Sequence, residues 1–395
     1  MDMPKRRSNG EGTIYQRPNG TWAARLTYVD PDTGQRKRVA FYAPTQKAVK
    51  AKMKAARERI DAGAPPKDAT TTVATWMRHW RDTTLAVSDR KLSTKELYAT
   101  LSRTHLEPAP FGEIGLDRLK PSDVEKLILT MRSKMKPARG ADAETVRALS
   151  DSTIRSTYTA LRAGLDAAVR DGLLGRNPAA LVKRPGVERH EARHLDAADV
   201  MAVLKAAEDS RYHTALVLIA STGLRRGEAL ALRWTDLDLE AGLLKVAQTI
   251  GRVGDKLVIS EPKTARARRE VPLSSSIVTL LKKHRIAQLE ERMLAANKWT
   301  ESGLVFTTAL GTPVDPRNLT RVVEVAAKRA STEGVGVHTL RHSAATAWLE
   351  AGVHIKAVGD LLGHSSVAIT GDIYGHTSDD TARAAVDGLT SLLGV

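Results

Sequence analysis

The stretch from His338 to Tyr374 constrains this chain most, because it collects two imidazoles, a guanidinium and a phenol that the fold has to bring to one surface. In HTLRHSAATAWLEAG, His338 and Arg341 are spaced i, i+3, so on a helix both side chains leave from one face and can converge on one anion. A turn at Gly352 follows. HIKAVGDLLGHSS then predicts a second helix with Ile355, Val358, Leu361 and Leu362 apolar, stopped at Gly363 and leaving His364 just past its end. Tyr374 stands beyond, between Gly371 and Gly375. Such a set suits phosphoryl transfer, where charge builds on the non-bridging oxygens and must be met by fixed donors.

Taken together, HTLRH, LGHSS and a following Tyr resemble the C-terminal signature of the tyrosine recombinase (phage integrase) family. That resemblance makes demands elsewhere in the chain: an Arg in a TGLR-type turn upstream, and a Lys on an intervening β-hairpin. Both are met. The apolar helix ALVLIA runs into Ser221-Thr222-Gly223-Leu224-Arg225-Arg226-Gly227-Glu228, after which Leu230, Leu232 and Trp234 resume a buried face. An Arg flanked by two buried helices is costly to leave unpaired and should meet an anion or a carboxylate. The motif puts the catalytic Arg at Arg225, with Glu228 as its orienting partner; Arg226, the rival, is assigned to solvent or to a DNA backbone. Next, LLKVAQTI, DKLVIS and ARREVPL read as three strands, with Lys263 in Pro262-Lys263-Thr264 ahead of Val271-Pro272-Leu273. The family places its catalytic Lys in that context, and Lys256 is the weaker candidate.

Charge agrees with a polyanionic partner. The formal charge is +16 and pI about 10.0, and no apolar run approaches the ~18 residues of a membrane span. Residues 1–70 hold 15 Lys and Arg against 7 Asp and Glu, half the net charge in under a fifth of the chain. Aromatics are 4% of residues, which disfavours base stacking on an aromatic platform. The absence of cysteine excludes disulfides and thiolate metal sites and fits a reducing compartment. A soluble, cytoplasmic protein is expected.

At 395 residues the chain is long enough for two or three domains. The expected class is multidomain α+β, divided as 1–64, 65–182, a linker 183–194, and 195–395. Residues 10–43 read as three antiparallel strands turning at Asn19-Gly20 and Asp32-Thr33-Gly34, followed by a basic helix from Thr45 to Asp61 carrying Lys47, Lys50, Lys52, Lys54, Arg57 and Arg59. Arg25, Arg36 and Arg38 interleave with Trp22, Tyr28 and Tyr42, and the module resembles the arm-type DNA-binding domain of many integrases. AGAPPKDATT, residues 62–71, reads as a linker. Helices follow. Trp76, Met77 and Trp80 share a face; Ser93 and Glu96 predict a capping box ahead of Leu97, Leu101 and Leu106; another helix starts at Pro121-Ser122 and carries Val124, Leu127, Ile128 and Met131. Lys136 to Asp142 reads as a loop, and a helix capped by Ser150 or Ser152 carries Ile154, Tyr158, Leu161, Leu165 and Val169 up to Gly172. By itself the pattern supports only a small helical domain; it matches the family's core-binding domain. The connector KRPGVERHEARH offers Lys183 and Arg184 to a phosphate backbone, and a plain hinge is the equal alternative. Asp196 should cap a helix through Val200 and Leu204, and further helices run from Ser275 to Ala296 and from Pro316 to Ala330.

The resemblance implies that Tyr374 attacks a scissile phosphodiester in duplex DNA to give a 3′-phosphotyrosyl link. Arg225, Arg341 and His364 would hold the non-bridging oxygens, Lys263 would protonate the leaving 5′-oxygen, and His338 would serve as base or positioner of the phenol. No cofactor or metal is expected. The expected partners are core-type and arm-type attachment sites on DNA in a bacterial host, three further protomers of a homotetramer, an accessory DNA-bending protein and an excisionase. The apolar positions Ala382, Ala385, Val386, Leu389 and Leu392 could cover their own domain or a neighbouring protomer. A type IB topoisomerase and a DNA-binding regulator with a retired active site are the competing readings.

Overall fold

The computed structural model describes residues 12–29, 36–61, 71–138, 145–188, 194–262, 265–332, 334–364 and 371. The chain divides into two compact units, Met1–Arg189 and His190–Val395. Among the described residues, no helix is long and apolar enough to cross a membrane.

The first unit opens with the expected antiparallel sheet: β1 (Thr13–Gln16), β2 (Trp22–Val29) and β3 (Arg36–Ala43), in that order. Alternation sends Ala24 and Leu26 of β2 and Val39 of β3 under α1 (Gln46–Asp61), where they meet Val49 and Ala56. Arg25, Arg36 and Arg38 point the other way and are exposed. The turn at Asp32-Thr33-Gly34 lies outside the described residues.

A helical layer follows. Thr72 accepts from the Thr75 amide to cap α2 (Val73–Trp80), which buries Trp76, Met77 and Trp80 as its spacing predicts. The Ser93–Glu96 capping box does not form. α3 (Leu92–Leu101) has its N-cap two residues early, at Lys91, with no side-chain cap, and Glu96 instead accepts from Thr100 Oγ1 at 3.3 Å. A π turn at Ser102–Leu106 continues this helix and adds a residue to the repeat, so Leu101 and Leu106 reach the core while Leu97 is 47% exposed. α4 (Pro121–Ser133) starts as expected, Asp123 accepting from the Lys120 amide at 2.9 Å. The loop expected over Lys136 to Asp142 is corrected at its start: β4 (Met135–Pro137) pairs antiparallel with β5 (Thr145–Arg147). Ser150, not Ser152, caps α5 (Asp151–Arg170), the central helix of this unit, which buries Ile154, Tyr158, Leu161 and Leu165. Lys183 and Arg184 lie exposed on the extended chain beyond it.

The second unit is mainly helical. Asp196 caps α6 (Ala197–Ala206), followed by α7 (His213–Thr222) and the short α8 (Arg226–Leu230). The next segment corrects the three-strand expectation. LLKVAQTI is not one strand but two in different sheets: β7 (Leu243–Val246) lies between β6 (Leu237–Asp238) and β10 (Arg269–Pro272), whereas β8 (Thr249–Val253), among the described residues, pairs with β9 (Lys256–Ser260) alone. The break falls at Ala247-Gln248, where the Gln248 side chain accepts from Arg233. α9 (Ser275–Ala295), α10 (Pro316–Arg329), α11 (Val337–Glu350) and α12 (Ile355–Leu362) complete the unit. Leu216, Ile219 and Leu224 pack with Leu244, Val271, Phe306 and Leu340 in one core, so the end of α7 and the start of α11 are held rigidly together.

Candidate active site

The site is organised around the C-terminal end of α12. The last carbonyls of a helix lack internal partners and carry the negative end of its dipole. Here three arginines supply the missing donors. Arg341, on α11 and 4% exposed, donates from Nη1 to the Gly223 carbonyl at 2.5 Å and from Nη2 to the Leu362 carbonyl at 2.8 Å. Arg225 reaches the same end from the turn before α8, Nη1 lying 3.4 Å from the Leu362 oxygen and Nη2 3.3 Å from that of Gly363. Arg269, on β10, donates from Nε to the Leu361 carbonyl.

Two glycines allow this close approach. Gly223 ends α7 at φ +62°, and a Cβ there would sit 2.7 Å from Leu362 Cδ2. Gly363 ends α12 at φ +65°, and a Cβ would sit 2.8 Å from Arg269 Nη1. Any side chain at either position would be strained by the positive φ, and at Gly363 it would also press on Arg269.

Glu228 holds Arg225 from the first turn of α8. At the third position of α8 its Oε2 accepts from the Arg225 amide at 3.0 Å, closing a local cap, and its Oε1 accepts from Arg225 Nη1 at 2.7 Å. Glu228 is 4% exposed, and its Oε2 also accepts from Arg269 Nη2 at 3.0 Å. Burial alone would raise its pKa, but the charge and hydrogen bond of Arg269, then Arg225, outweigh it and hold the carboxyl below its ordinary range.

The histidines beside these cations are held neutral. His364, buried directly after Gly363, has its pKa brought down to about 4 by desolvation first, then by Arg341, Arg225, Arg269 and His342. His338 stands exposed at the start of α11, and desolvation of its ring followed by Arg341, Arg226 and Arg225 lowers its pKa. His342, one turn further along α11, is lowered by desolvation, His338, Arg341 and His194. At neutral pH the positive charge of the site is therefore carried by arginine, and the imidazoles are available as neutral donors or acceptors.

Arg225, Glu228, His338, Arg341 and His364 are thus brought together from separate stretches. Lys263 and Tyr374 lie outside the described residues, as do Ala382 to Leu392; Lys256 is exposed at the start of β9. Arg226, assigned to solvent or a DNA backbone, is half-buried, and its Nη1 donates to Thr320 Oγ1 of α10. The sequence reading missed Arg269 and His342. Arg269 lies two residues before the buried Val271 on a strand, so period-two alternation placed a cation on the inward face. His342 shares the face of His338 at i, i+4.

Residues 193–381 match the Phage integrase family. The chain is 29% identical to a tyrosine recombinase XerC-like protein of Caldanaerobacter subterraneus subsp. tengcongensis, covering 91% of this chain and 93% of that protein. It is 31% identical to the tyrosine recombinase XerC of Xanthomonas axonopodis pv. citri, covering 59% of this chain and 70% of that one. Among solved structures, the Tn1549 transposon integrase in complex with a circular intermediate DNA shares its fold with a TM-score of 0.64 at 22% identity, over 81% of this chain and 99% of that one. A lambda integrase tetramer bound to a Holliday junction does so with a TM-score of 0.57 at 18% identity, over 95% and 99%. With the arginine cluster in place and these similarities in sequence and fold, the chain belongs to the tyrosine recombinase, or phage integrase, family.

Proposed function

We propose that this recombinase cleaves and rejoins duplex DNA at specific attachment sites, integrating and excising a mobile element. The observation that carries the reading is the convergence of Arg225 and Arg341, from distant parts of the chain, on the Leu362 carbonyl beside His364. Two fixed guanidinium forks on one helix end suit a tetrahedral phosphate whose charge grows as it becomes pentacoordinate.

In the proposed reaction the Tyr374 phenol oxygen bonds to phosphorus as the bond from phosphorus to the 5′-oxygen breaks. The phenol proton passes to His338, whose lowered pKa leaves it neutral and able to accept. Lys263 delivers a proton to the departing 5′-oxygen. Arg225, Arg341 and His364 hold the non-bridging oxygens, and Glu228 orients Arg225. The covalent link conserves the phosphodiester energy, so attack by a new 5′-hydroxyl reverses each step and rejoins strands without ATP.

The remaining assignments follow from charge and from the family. Residues 1–64 read arm-type sites through Arg25, Arg36 and Arg38; residues 65–182 bind the core site and residues 195–395 carry the catalytic groups; Lys183 and Arg184 in the connector 183–194 lie along the backbone. The lambda integrase, similar over nearly the whole chain, is a tetramer on a Holliday junction, and four protomers are proposed here too, with a DNA-bending protein and an excisionase as accessory partners in a bacterial cytoplasm.

The test is a suicide duplex carrying the DNA that flanks the protein's own gene. A covalent adduct mapping to Tyr374 and to one strand is expected, with none from Tyr374→Phe. Absence of an adduct, or one that survives Tyr374→Phe, would remove the reading. Relaxation of supercoils without joining of two marked DNAs would identify a topoisomerase instead.

A further inference from the structure

Arg269 has no place in the reaction just described, yet its side chain is 6% exposed and all three of its nitrogens are committed. Nη2 donates to Glu228 Oε2 at 3.0 Å, Nη1 to the Ala267 carbonyl at 3.2 Å, and Nε to the Leu361 carbonyl. Glu228 holds Arg225 with its other oxygen, and Leu361 directly precedes the carbonyl that Arg225 and Arg341 share. A single planar group therefore fixes both the carboxylate that aims Arg225 and the helix end that presents Gly363 and His364. Burying such a cation costs it its hydration, which a role in filling space alone would not require of this strand position.

We infer that Arg269 is a positioning residue for phosphate capture: it orients Arg225 through Glu228 and seats the Gly363-His364 turn through Leu361, without touching DNA itself. The inference rests on the recombinase reading above and deepens it. Its charge matters as well as its shape. His364 is faced by Arg341 and His342 from α11, by Arg225 from the turn before α8 and by Arg269 from β10. Removing one of these cations eases protonation of His364.

Two substitutions separate geometry from charge. Lysine keeps the cation but offers a single nitrogen that cannot reach three acceptors lying in different directions. Methionine keeps an apolar stem and removes the cation. Single-turnover cleavage of the suicide duplex at saturating protein, followed across pH, reads both. Arg269→Lys is expected to slow cleavage about 10- to 100-fold, as loss of an outer-shell partner does, with duplex affinity unchanged and the acid limb of the pH profile in place. Arg269→Met is expected to slow it at least as much and to move the acid limb toward neutral pH. Should Arg269→Met fail to fold, Arg269→Lys carries the test alone. Wild-type cleavage by Arg269→Lys, a rate loss matched by lost duplex affinity, or a Lys variant unfolded at the assay temperature would each overturn the inference. So would an acid limb unmoved in a folded Arg269→Met protein. A wild-type enzyme that forms no adduct through Tyr374 would instead remove the underlying recombinase reading, so the two failures are distinguishable.

Discussion

In the N-terminal sheet Arg25, Arg36 and Arg38 stand exposed on one face, and Arg25 lies 5.3 Å over the Tyr15 ring. In the C-terminal unit Arg341 and Arg269 are buried, and Arg225 is half-buried, each holding named carbonyl or carboxylate oxygens. The same side chain is used in two ways. The exposed arginines keep their solvation and rotamer freedom, which suits loose, salt-sensitive contact with a charged backbone. Those of the C-terminal unit have given up much of both in folding, so the forks of Arg225 and Arg341 need no reorganisation when a phosphate arrives. Solvated cations should be removable at little cost to the fold, and buried ones should not.

The largest effect is expected at Arg341. Arg341→Ala would take the Arg341 donor from the Gly223 carbonyl, leave the Leu362 carbonyl with the longer Arg225 contact, and open a cavity beside them, at about 1–3 kcal/mol for a group left unsatisfied. On the proposed mechanism it also loses one phosphate fork, so single-turnover cleavage should fall on the order of 10³-fold. A folded Arg341→Ala protein that cleaves within a few-fold of wild type would end the distinction between the two arginine sets.

Glu228→Ala comes next. It strands Arg269 as a buried cation without its carboxylate, and unfolding in urea should show a loss of about 3–5 kcal/mol. Glu228→Gln, which keeps acceptor oxygen but not charge, should lose less. Equal losses from the two would mean that the cap at Arg225, rather than the buried ion pairs, is what Glu228 contributes.

These two residues also show how far the sequence could be read. Arg341 and Glu228 were legible because each sits in a local pattern: an i, i+3 pairing with His338, and the third position after a helix start. The glycine stops at Gly223 and Gly363 were legible for the same reason. What escaped was set by distant partners. LLKVAQTI splits because Val246 pairs with Arg269 while Thr249 pairs with Ser260, and nothing within the run itself announces the change of sheet. Leu106 follows Leu101 into the core at i, i+5 because a π turn adds a residue between them, and the β4–β5 pairing joins residues across a segment with no apolar alternation. Arg269 needed the opposite inference, that a cation two positions from Val271 faces inward because something inside awaits it.

A pH series sharpens the comparison further. The Glu228 carboxyl is held below its ordinary range, so its contribution to stability is full above about pH 4.5, the unfolded value, and drains as the pH falls through the folded one. His364 acts over a higher window. Its pKa of about 4 lies below the ordinary value of 6.5, so on acidification the unfolded chain binds the proton first, and stability is lost between pH 6.5 and about 4. Urea midpoints at pH 7, 5.5 and 4.5 should fall in that order. His364→Gln should flatten the upper part of the slope by about 1–2 kcal/mol, allowing for solvent screening. An unchanged slope in His364→Gln would show that another group titrates there.

The smallest effect on the fold is expected at the exposed set. Arg36 and Arg38 flank the outward side of β3 at positions paired with Val29 and Thr27, and neither supports the layer of Val39 and Val49 beneath the sheet. The double variant Arg36→Ala, Arg38→Ala should therefore unfold within about 0.5 kcal/mol of wild type. Its effect should appear in salt dependence instead. If both side chains neutralise phosphates, the log-log slope of arm-site affinity against salt should lose about 0.9 for each, while core-site cleavage stays as it was. A slope that stays put would mean the exposed face meets no backbone. A stability loss of several kcal/mol would mean that these arginines are structural after all, and the contrast with Arg341 and Arg269 would reduce to a difference in depth rather than in use.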